Sequence, residues 1–542
     1  MRDLCSVCSF VFSFLFRVTY FLRAHGFRFG DFVSIMSQIA TSLTLGCYSL
    51  FVSNSRLLWI GYEGSEGSSH FEAVQKLKKA ELIDFFVAAG VINDSAEWQL
   101  VDEPVVSHFD ALFAKYEISS SNSKFLMDQE VYLLCASFEG ETLRMMDRLH
   151  RRGPALIFKD SFNTRRKMFL SHCSFWYQYL LEKKISHVVF FGVPHEVYPF
   201  VIYSLAKKLN LKTIIFSREK SGPFRNKNIF EVKKPKPSSM MDSTFFVSET
   251  IEDIGEWRLS KSLNLVAKEL GIDFSRSTDL FKRNEGYELE STSVVGSSDL
   301  NASLKNICKS VSRMISDYKK SIETISYWVQ SRRRHREHVS LAESLNHETK
   351  SVLFCLAFQP EESTSPRGGI FVEQLLVVNL LSAGLPEGWK VRVREHPDQY
   401  RRLRARPKNF LKEISEIPNV EIVPPGETAF ESFNASSAVA ITSGTMGVEA
   451  WVAGIPTIVF GEMWLKNAPG AYYVRSLNDV QKVLLRISEG VQNSEHAVED
   501  FLTWTASHSF IGRITRKDSQ NAELREVTVE NITNILRVWL VA

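Results

Sequence analysis

The chain has little of what braces small or extracellular folds. Its 7 cysteines, at 5, 8, 47, 135, 173, 308 and 355, are odd in number and follow no repeating framework. A disulfide scaffold is therefore excluded as the organising device, and reduced thiols in a cytosolic protein are expected. Cys5 and Cys8 make a lone C-x-x-C in apolar surroundings, with no second Cys or His pair at zinc spacing, which argues against a metal site there. Only 17 prolines occur, too few for a proline-rich disordered chain. Charge of one sign is missing as well: the net charge of +3 gives no whole-molecule field for nucleic acid. There is no G-x-x-x-x-G-K-[ST], H-E-x-x-H, G-x-S-x-G or G-x-G-x-x-G, so NTPase, zincin, serine-hydrolase and dinucleotide-binding readings lack their signals. A clean membrane-length run is absent too. The run Cys5 to Phe16 is broken by Arg17, and Val33 to Val52 carries Ser, Thr and Gln.

What is present is a large apolar fraction. Hydrophobic residues make up 44% of the 542, and 39 phenylalanines demand a substantial buried interior. The length prior gives about two to four domains. Residues 1–53 read as a peripheral or packed amphipathic segment, with a translation start at Met36 and a true span as the alternatives. From Asn54 the pattern becomes α/β. Strands are expected at Arg56–Tyr62, Val131–Cys135, Ala155–Phe158, His187–Phe191 and Lys212–Phe216, with helices at Phe71–Ala80 and Tyr198–Leu209. Residues 187–216 make a βαβ unit, so 54–217 are expected to be an N-terminal Rossmann-like domain.

Residues 218–348 change character. They hold the Lys233-Lys-Pro-Lys-Pro237 stretch, a Ser/Gly-rich tract near 291–303, and a polar helix through Arg332-Arg-Arg-His-Arg336. They are expected to form a polar, helical insertion or interdomain arm, with the arginine run either a solvated face or a contact to a membrane surface or a polyanion. A second βα series fills 349–510: strand Ser351–Ala357, helix Phe371–Leu381, strands Lys390–Val393 and Val420–Val423, strand Ala438–Thr442, a helix opening at Ser443-Gly-Thr445, and strand Pro456–Phe460. Residues 511–542 read as a helical tail. The expected fold class is thus α/β, two Rossmann-like doubly wound domains facing a cleft.

Three motifs of the second half lie where strands end, which is where open α/β sheets bind ligands. At Ser443-Gly-Thr445, free N–H groups of a helix start, an unhindered glycine and two hydroxyls suit an anion, and Glu449 lies one helical turn on, able to accept from ribose hydroxyls. The plain alternative is a Ser-capped helix with a solvated first-turn carboxylate. Arg394-Glu-His-Pro397 sets a cation and an imidazole at a neighbouring strand end, with Pro397 fixing the loop. The loop Gln359 to Gly369 offers Glu361, hydroxyls, Arg367 and a Gly-Gly pair, or is simply a connector. In the first half, Gly192-Val-Pro-His-Glu196 brings His195 and Glu196 to a strand end as candidates for acid/base work or acceptor binding, with Glu196 equally readable as a helix-start carboxylate.

These blocks, with Gly454-Ile-Pro456 and Phe460-Gly461, resemble the capsule polysaccharide biosynthesis family of GT-B-like glycosyltransferases, over about 185–475. The His-Pro and Ser/Thr blocks are similar to those by which sialyltransferases hold a CMP donor, and Ser443-Gly-Thr with Glu449 is similar to the nucleotide grip of UDP-N-acetylglucosamine 2-epimerases. Arg394 stands where that family has Lys. The resemblance implies that Arg394, His396 and Pro397 bind the donor nucleotide, Ser443, Gly444 and Thr445 its phosphate, and Glu449 its ribose. The resemblance does not assign the catalytic base; Glu361, His195 and Glu196 are candidates because they would border the cleft. No metal and no cofactor are implied, only a nucleotide-sugar co-substrate, CMP-linked as for CMP-Kdo. The expected activity is transfer of a sugar to a glycan or glycolipid acceptor in the cytoplasm, with peripheral contact to the inner membrane and none to nucleic acid. The alternatives are a nucleotide-sugar epimerase and a non-catalytic glycan-binding or assembly protein.

Overall fold

The computed structural model describes residues 55–61, 69–91, 102–107, 111–112, 114, 129–146, 162–217, 244–253, 266–272, 318–342, 349–359, 361–401, 406–490, 510–512 and 522–542. The expectations for the first 53 residues, Ala155–Phe158, Lys233–Pro237 and the tract near 291–303 fall outside them.

Two sheets organise these residues. The first runs β13-β6-β5-β4-β1-β2-β3. Its strands are β1 (Arg56–Gly61), β2 (Phe85–Val91), β3 (Glu103–Ser107), β4 (His187–Phe191), β5 (Lys212–Ser217), β6 (Thr244–Ser248) and β13 (Phe510–Ile511). Strands β1 to β5 are parallel, and β6 and β13 join antiparallel at one edge. Both faces are covered, so the central strands are apolar throughout rather than alternating. Leu58 and Ile60 of β1 face one core, Leu57 and Trp59 the other. Helix α1 (Ser69–Lys79) lies in the second of these cores. Helices α2 (Gln129–Ala136), α3 (Glu139–Met145), α4 (Phe162–Glu182) and α5 (Val197–Lys208) supply the first, through Met145, Phe169, Trp176, Val201 and Leu205.

The second sheet is wholly parallel and runs β12-β11-β10-β7-β8-β9. Its strands are β7 (Ser351–Cys355), β8 (Lys390–Arg394), β9 (Val420–Ile422), β10 (Ala438–Ile441), β11 (Thr457–Val459) and β12 (Ala471–Tyr473). Counted from β7, this is the doubly wound order 6-5-4-1-2-3, whose direction of winding reverses between β7 and β10. Both sheets thus form Rossmann-like domains, as expected. Among the described residues, no helix is long and apolar enough to cross a membrane.

Several expectations need correction. Val131–Cys135 is helix α2, not a strand: Val131 and Cys135 are buried while Leu133 is 58% exposed, a burial period of about four rather than two. Strand β7 stops at Cys355 rather than Ala357, because the Gln374 side chain takes over the Ala357 backbone, accepting from its N–H at 2.6 Å and donating to its carbonyl at 3.2 Å. The helix expected at Phe371 is a 3-10 turn, Gly369–Val372, and the α-helix is Gln374–Gly384. The 218–348 arm is divided between the domains. Its β6 pairs in the first sheet, whereas helix α6 (Tyr318–Leu341) packs on the second domain, His338 donating Nε2–H to the Val423 carbonyl at 2.7 Å and Ser331 donating to that of Tyr400 at 3.2 Å. Nor is 511–542 a tail. Strand β13 pairs with β6, and helix Ala522–Val541 buries Val529, Ile532, Ile535, Leu536 and Trp539 with Trp59 and Phe71 in the core of the first domain.

Candidate functional site

At the reversal point of the second sheet, the loop after β7 and the loop after β10 leave the same edge and are tied together. Ser443 donates its hydroxyl to the Ser363 carbonyl at 2.8 Å. The Gly461 N–H donates to Thr442 O at 2.9 Å and the Glu462 N–H to Arg367 O at 2.8 Å, so the loop after β11 is part of the same knot. The approach is close: a Cβ at Gly461 would stand 2.8 Å from Arg367 O and 3.0 Å from Thr442 O. The following helix starts at Thr445 and runs to Val452, and its N-cap is Gly444 (φ −86°, ψ 155°), with no side chain capping it. The Ser443 cap of the plain reading is therefore not what forms, since that hydroxyl is turned to Ser363. A Cβ at Gly444 would meet nothing within 4 Å, so the N-cap position itself is uncrowded. Its first N–H groups there carry the positive end of the helix dipole.

The loop after β8 is held by an arginine that the sequence pattern did not flag. Arg406 is buried and grips Glu395 with two bonds, Nε to Oε2 at 2.9 Å and Nη2 to Oε1 at 2.8 Å, and also reaches Gln359 Oε1 at 2.7 Å and Ala357 O at 2.9 Å. Glu395 Oε1 accepts the His396 N–H at 2.7 Å. This buried, bidentate pair fixes the backbone on which Arg394, His396 and Pro397 sit. The His396 ring packs on Phe358, centroids 5.6 Å apart, and its Nδ1 accepts the Asp398 N–H at 3.2 Å. Burial pushes its pKa down, so the ring is neutral, and with Nδ1 an acceptor its proton is on Nε2, ready to donate.

Arg394 donates Nη2 to the Glu427 carbonyl at 3.1 Å, while its Nε is buried without a hydrogen-bond partner. It acts electrostatically on both Glu449 and Cys355. Burial raises Glu449 to about 7, with the Arg394 charge pulling the other way. Burial likewise pushes the Cys355 thiol to about 12, opposed by Arg394. The strand ends of β7 and β8 and the helix after β10 therefore share one electrostatic neighbourhood, in which Glu449 can give or take a proton near neutrality.

The first domain meets this edge with its own. The loop after β4 carries His195, whose Nδ1 is 2.7 Å from the Val193 carbonyl and 3.3 Å from Glu362 Oε2 of the second domain. Glu362 is in turn paired through Oε1 with Nε of the buried Arg367 at 2.7 Å. Further ties between the domains are Ser365 with Glu141, Arg144 with Glu373 at 3.7 Å, and Lys466 with the Glu252 carbonyl at 3.0 Å. Glu196 is buried and forms the N-cap of α5 without a side-chain cap bond. Glu361 shapes the turn, its carbonyl accepting from the Thr364 hydroxyl at 2.8 Å and its N–H donating back at 3.3 Å. The residue of that loop that reaches across to His195 is its neighbour, Glu362, which the sequence reading did not single out.

Fold and site together define a two-Rossmann-domain protein whose two strand-end edges meet. No protein-family model matches the chain, and no curated protein matches it. Among solved structures it is similar to KpsC of Thermosulfurimonas dismutans, a beta Kdo 2,4 transferase, at 11% identity over 59% of this chain and 87% of that one, with a TM-score of 0.25. It is similar to the UDP-GlcNAc 2-epimerase of Methanocaldococcus jannaschii in complex with UDP-GlcNAc and UDP, at 12% identity over 83% and 99%, TM-score 0.23. It is also similar to the wall teichoic acid polymerase TagF, at 10% identity over 94% and 100%, TM-score 0.21.

Proposed function

We propose that the chain is a metal-independent glycosyltransferase of the GT-B type, acting in capsular or surface polysaccharide assembly. It takes a nucleotide-activated sugar, CMP-linked by preference, in its second domain and passes the sugar to a glycan or glycolipid acceptor held against the first. The observation that carries this reading is the convergence at one sheet edge of an uncrowded helix N-terminus at Gly444, the Arg394 cation, a neutral His396 with its proton on Nε2, and the Glu449 carboxyl. The N-terminal N–H groups and Arg394 neutralise a leaving phosphate, His396 donates a hydrogen bond to it or to the base, and Glu449 accepts from the ribose. Because helix dipole and guanidinium supply this charge, EDTA leaves turnover unchanged; a loss that added divalent cation restores would refute metal independence.

Among Glu361, His195 and Glu196, His195 is our choice of base. Its ring stands at the meeting of the two edges, whereas Glu196 is buried at a helix start and Glu361 builds a turn. The arginine run of α6 is the proposed contact to the cytoplasmic face of the inner membrane. Arg333 and Arg336 are exposed, and exchanging them for Ala should abolish sedimentation with anionic liposomes; unchanged sedimentation removes the contact.

The nucleotide site is tested by thermal shift with CMP-, UDP-, GDP- and dTDP-sugars, since a ligand that binds only the native state raises stability. His396→Ala should weaken binding by about 1–3 kcal/mol, the cost of removing one donor from a charged group. Wild-type affinity in that variant would sink the pocket assignment. The epimerase alternative is recognised by isotope exchange at the sugar without transfer to an acceptor.

A further inference from the structure

The contact between His195 and Glu362 joins residues 167 positions apart, from different domains, at the loops following β4 and β7. It is a built arrangement. Val193 O can only accept, so the Nδ1 of His195 beside it carries a proton, donated to that carbonyl at 2.7 Å, while Glu362 Oε2 stands at ion-pair distance from the same nitrogen, 3.3 Å away. In the neutral ring the lone pair then lies on Nε2. Glu362 is itself fixed by Arg367, which is only 6% exposed and whose carbonyl accepts the Glu462 N–H. The same loop is bound to the start of the helix after β10 through Ser443 and Ser363. One loop of the second domain therefore touches both the proposed phosphate site and the histidine of the opposite domain.

We infer that Glu362 is a positioning residue whose carboxylate faces, across the domain interface, the Nδ1 edge of His195 that Val193 keeps protonated, so that the base has its charge partner only when the two domains are in contact. The inference rests on the transferase reading and names an assembly condition for that site. As the acceptor oxygen bonds to the anomeric carbon of the donor, its proton passes to His195 Nε2, and the bond from the anomeric carbon to the phosphate oxygen breaks with its electron pair leaving on the nucleotide. The imidazolium so formed faces the Glu362 carboxylate, which offsets its charge, while Arg367 prevents that carboxylate from turning away. Among the described residues, the other charged groups at this meeting of loops include Glu196 beside His195, Glu361 beside Glu362, and Glu141, Arg144 and Glu373 at the flanking contact between α3 and the second domain.

The test compares full-length wild type with Glu362→Gln and Glu362→Asp, each first checked for an unchanged melting temperature. Nucleotide affinity by calorimetry should be the same in all three, because Glu362 lies outside the proposed donor contacts. Glu362→Gln should lower kcat roughly tenfold or more without raising KM for the donor. It should also move the acid limb of the pH–rate profile to lower pH, because an imidazolium that loses a facing carboxylate releases its proton more readily. Glu362→Asp should recover part of both. Wild-type kcat and pH profile in Glu362→Gln would overturn the inference. A readout independent of turnover is the nitrogen-15 spectrum of His195: the neutral ring should be protonated on Nδ1, and its pKa should fall in Glu362→Gln. An Nε2-protonated ring, or an unmoved pKa, would overturn the inference as well. Should the wild type transfer no sugar to any acceptor, the functional reading fails while the His195 spectrum still decides the role of Glu362.

Discussion

Glu449 shows what a single position does to the energetics of the site. Its pKa, about 7, lies above the ordinary carboxylate value of 4.5. Between those two values the folded chain binds a proton that the unfolded chain does not, so stability falls as pH rises through this window. Glu449→Gln removes the penalty, and calorimetry should find a flatter dependence of melting temperature on pH from about 4.5 to 7 and a higher melting temperature at neutral pH. An unchanged slope would mean that Glu449 is solvated. Gly444 makes the complementary case, since its φ of −86° suits any residue and a Cβ there meets nothing. Gly444→Ala should therefore melt like the wild type while losing nucleotide affinity, because a phosphate held at this N-cap would meet the added methyl group. Equal affinity would argue that the phosphate binds elsewhere. At this scale the sequence was partly legible. Glu449 was readable because helical spacing fixes where a side chain points. Glu361 and Glu362 were not separable, because a loop has no period and only the turn closed by Thr364 aims the second of the two at His195. Arg406 escaped notice because it reaches its partners from a loop ten residues beyond His396.

Elements were legible where burial has one period and hidden where pairing is remote. Strands β1, β4, β7 and β10 are mostly apolar runs and β8 (Lys390–Arg394) alternates valine with basic residues, and all five lie within a residue or two of where the pattern sets them. The run Val131–Cys135 is equally apolar and became helix, since short apolar runs do not reveal their period until one residue, here Leu133, is found exposed. Among the described residues β13 joins the sheet through β6, whose residues lie more than 260 positions earlier, and β6 joins it antiparallel through β5, so nothing local announces either strand. The knot of loops at the reversal point depends on the missing side chain at Gly461. Gly461→Ala should cost roughly 1–3 kcal/mol, as an added methyl in a packed place does, and should weaken nucleotide binding as the Arg367 loop is pushed away. Denaturant unfolding of that variant with wild-type stability would show that the loops yield freely.

For the whole molecule, the two-domain plan was readable from two βα series, but the path of the chain was not. The chain leaves the first domain, builds the second, and returns with β13 and helix Ala522–Val541 to finish the first. Deleting residues 513–542 strips Val529, Ile532, Ile535, Leu536 and Trp539 from a core shared with Trp59, Phe71 and Phe216. Calorimetry of the truncated protein should show the transition of the first domain lost and that of the second retained. Retention of both would mean that the helix is dispensable to the core.

That returning helix also reverses the order of events during synthesis. A ribosome reading this chain has made every strand of β1 to β5 long before helix Ala522–Val541, so the earlier domain waits, one face covered by α1 but not yet by that helix, while the later one has all its parts and can close first. The nascent protein must therefore shield Trp59 and its neighbours for the time needed to translate several hundred codons, and the completed first domain is itself a signal that translation has passed helix Ala522–Val541.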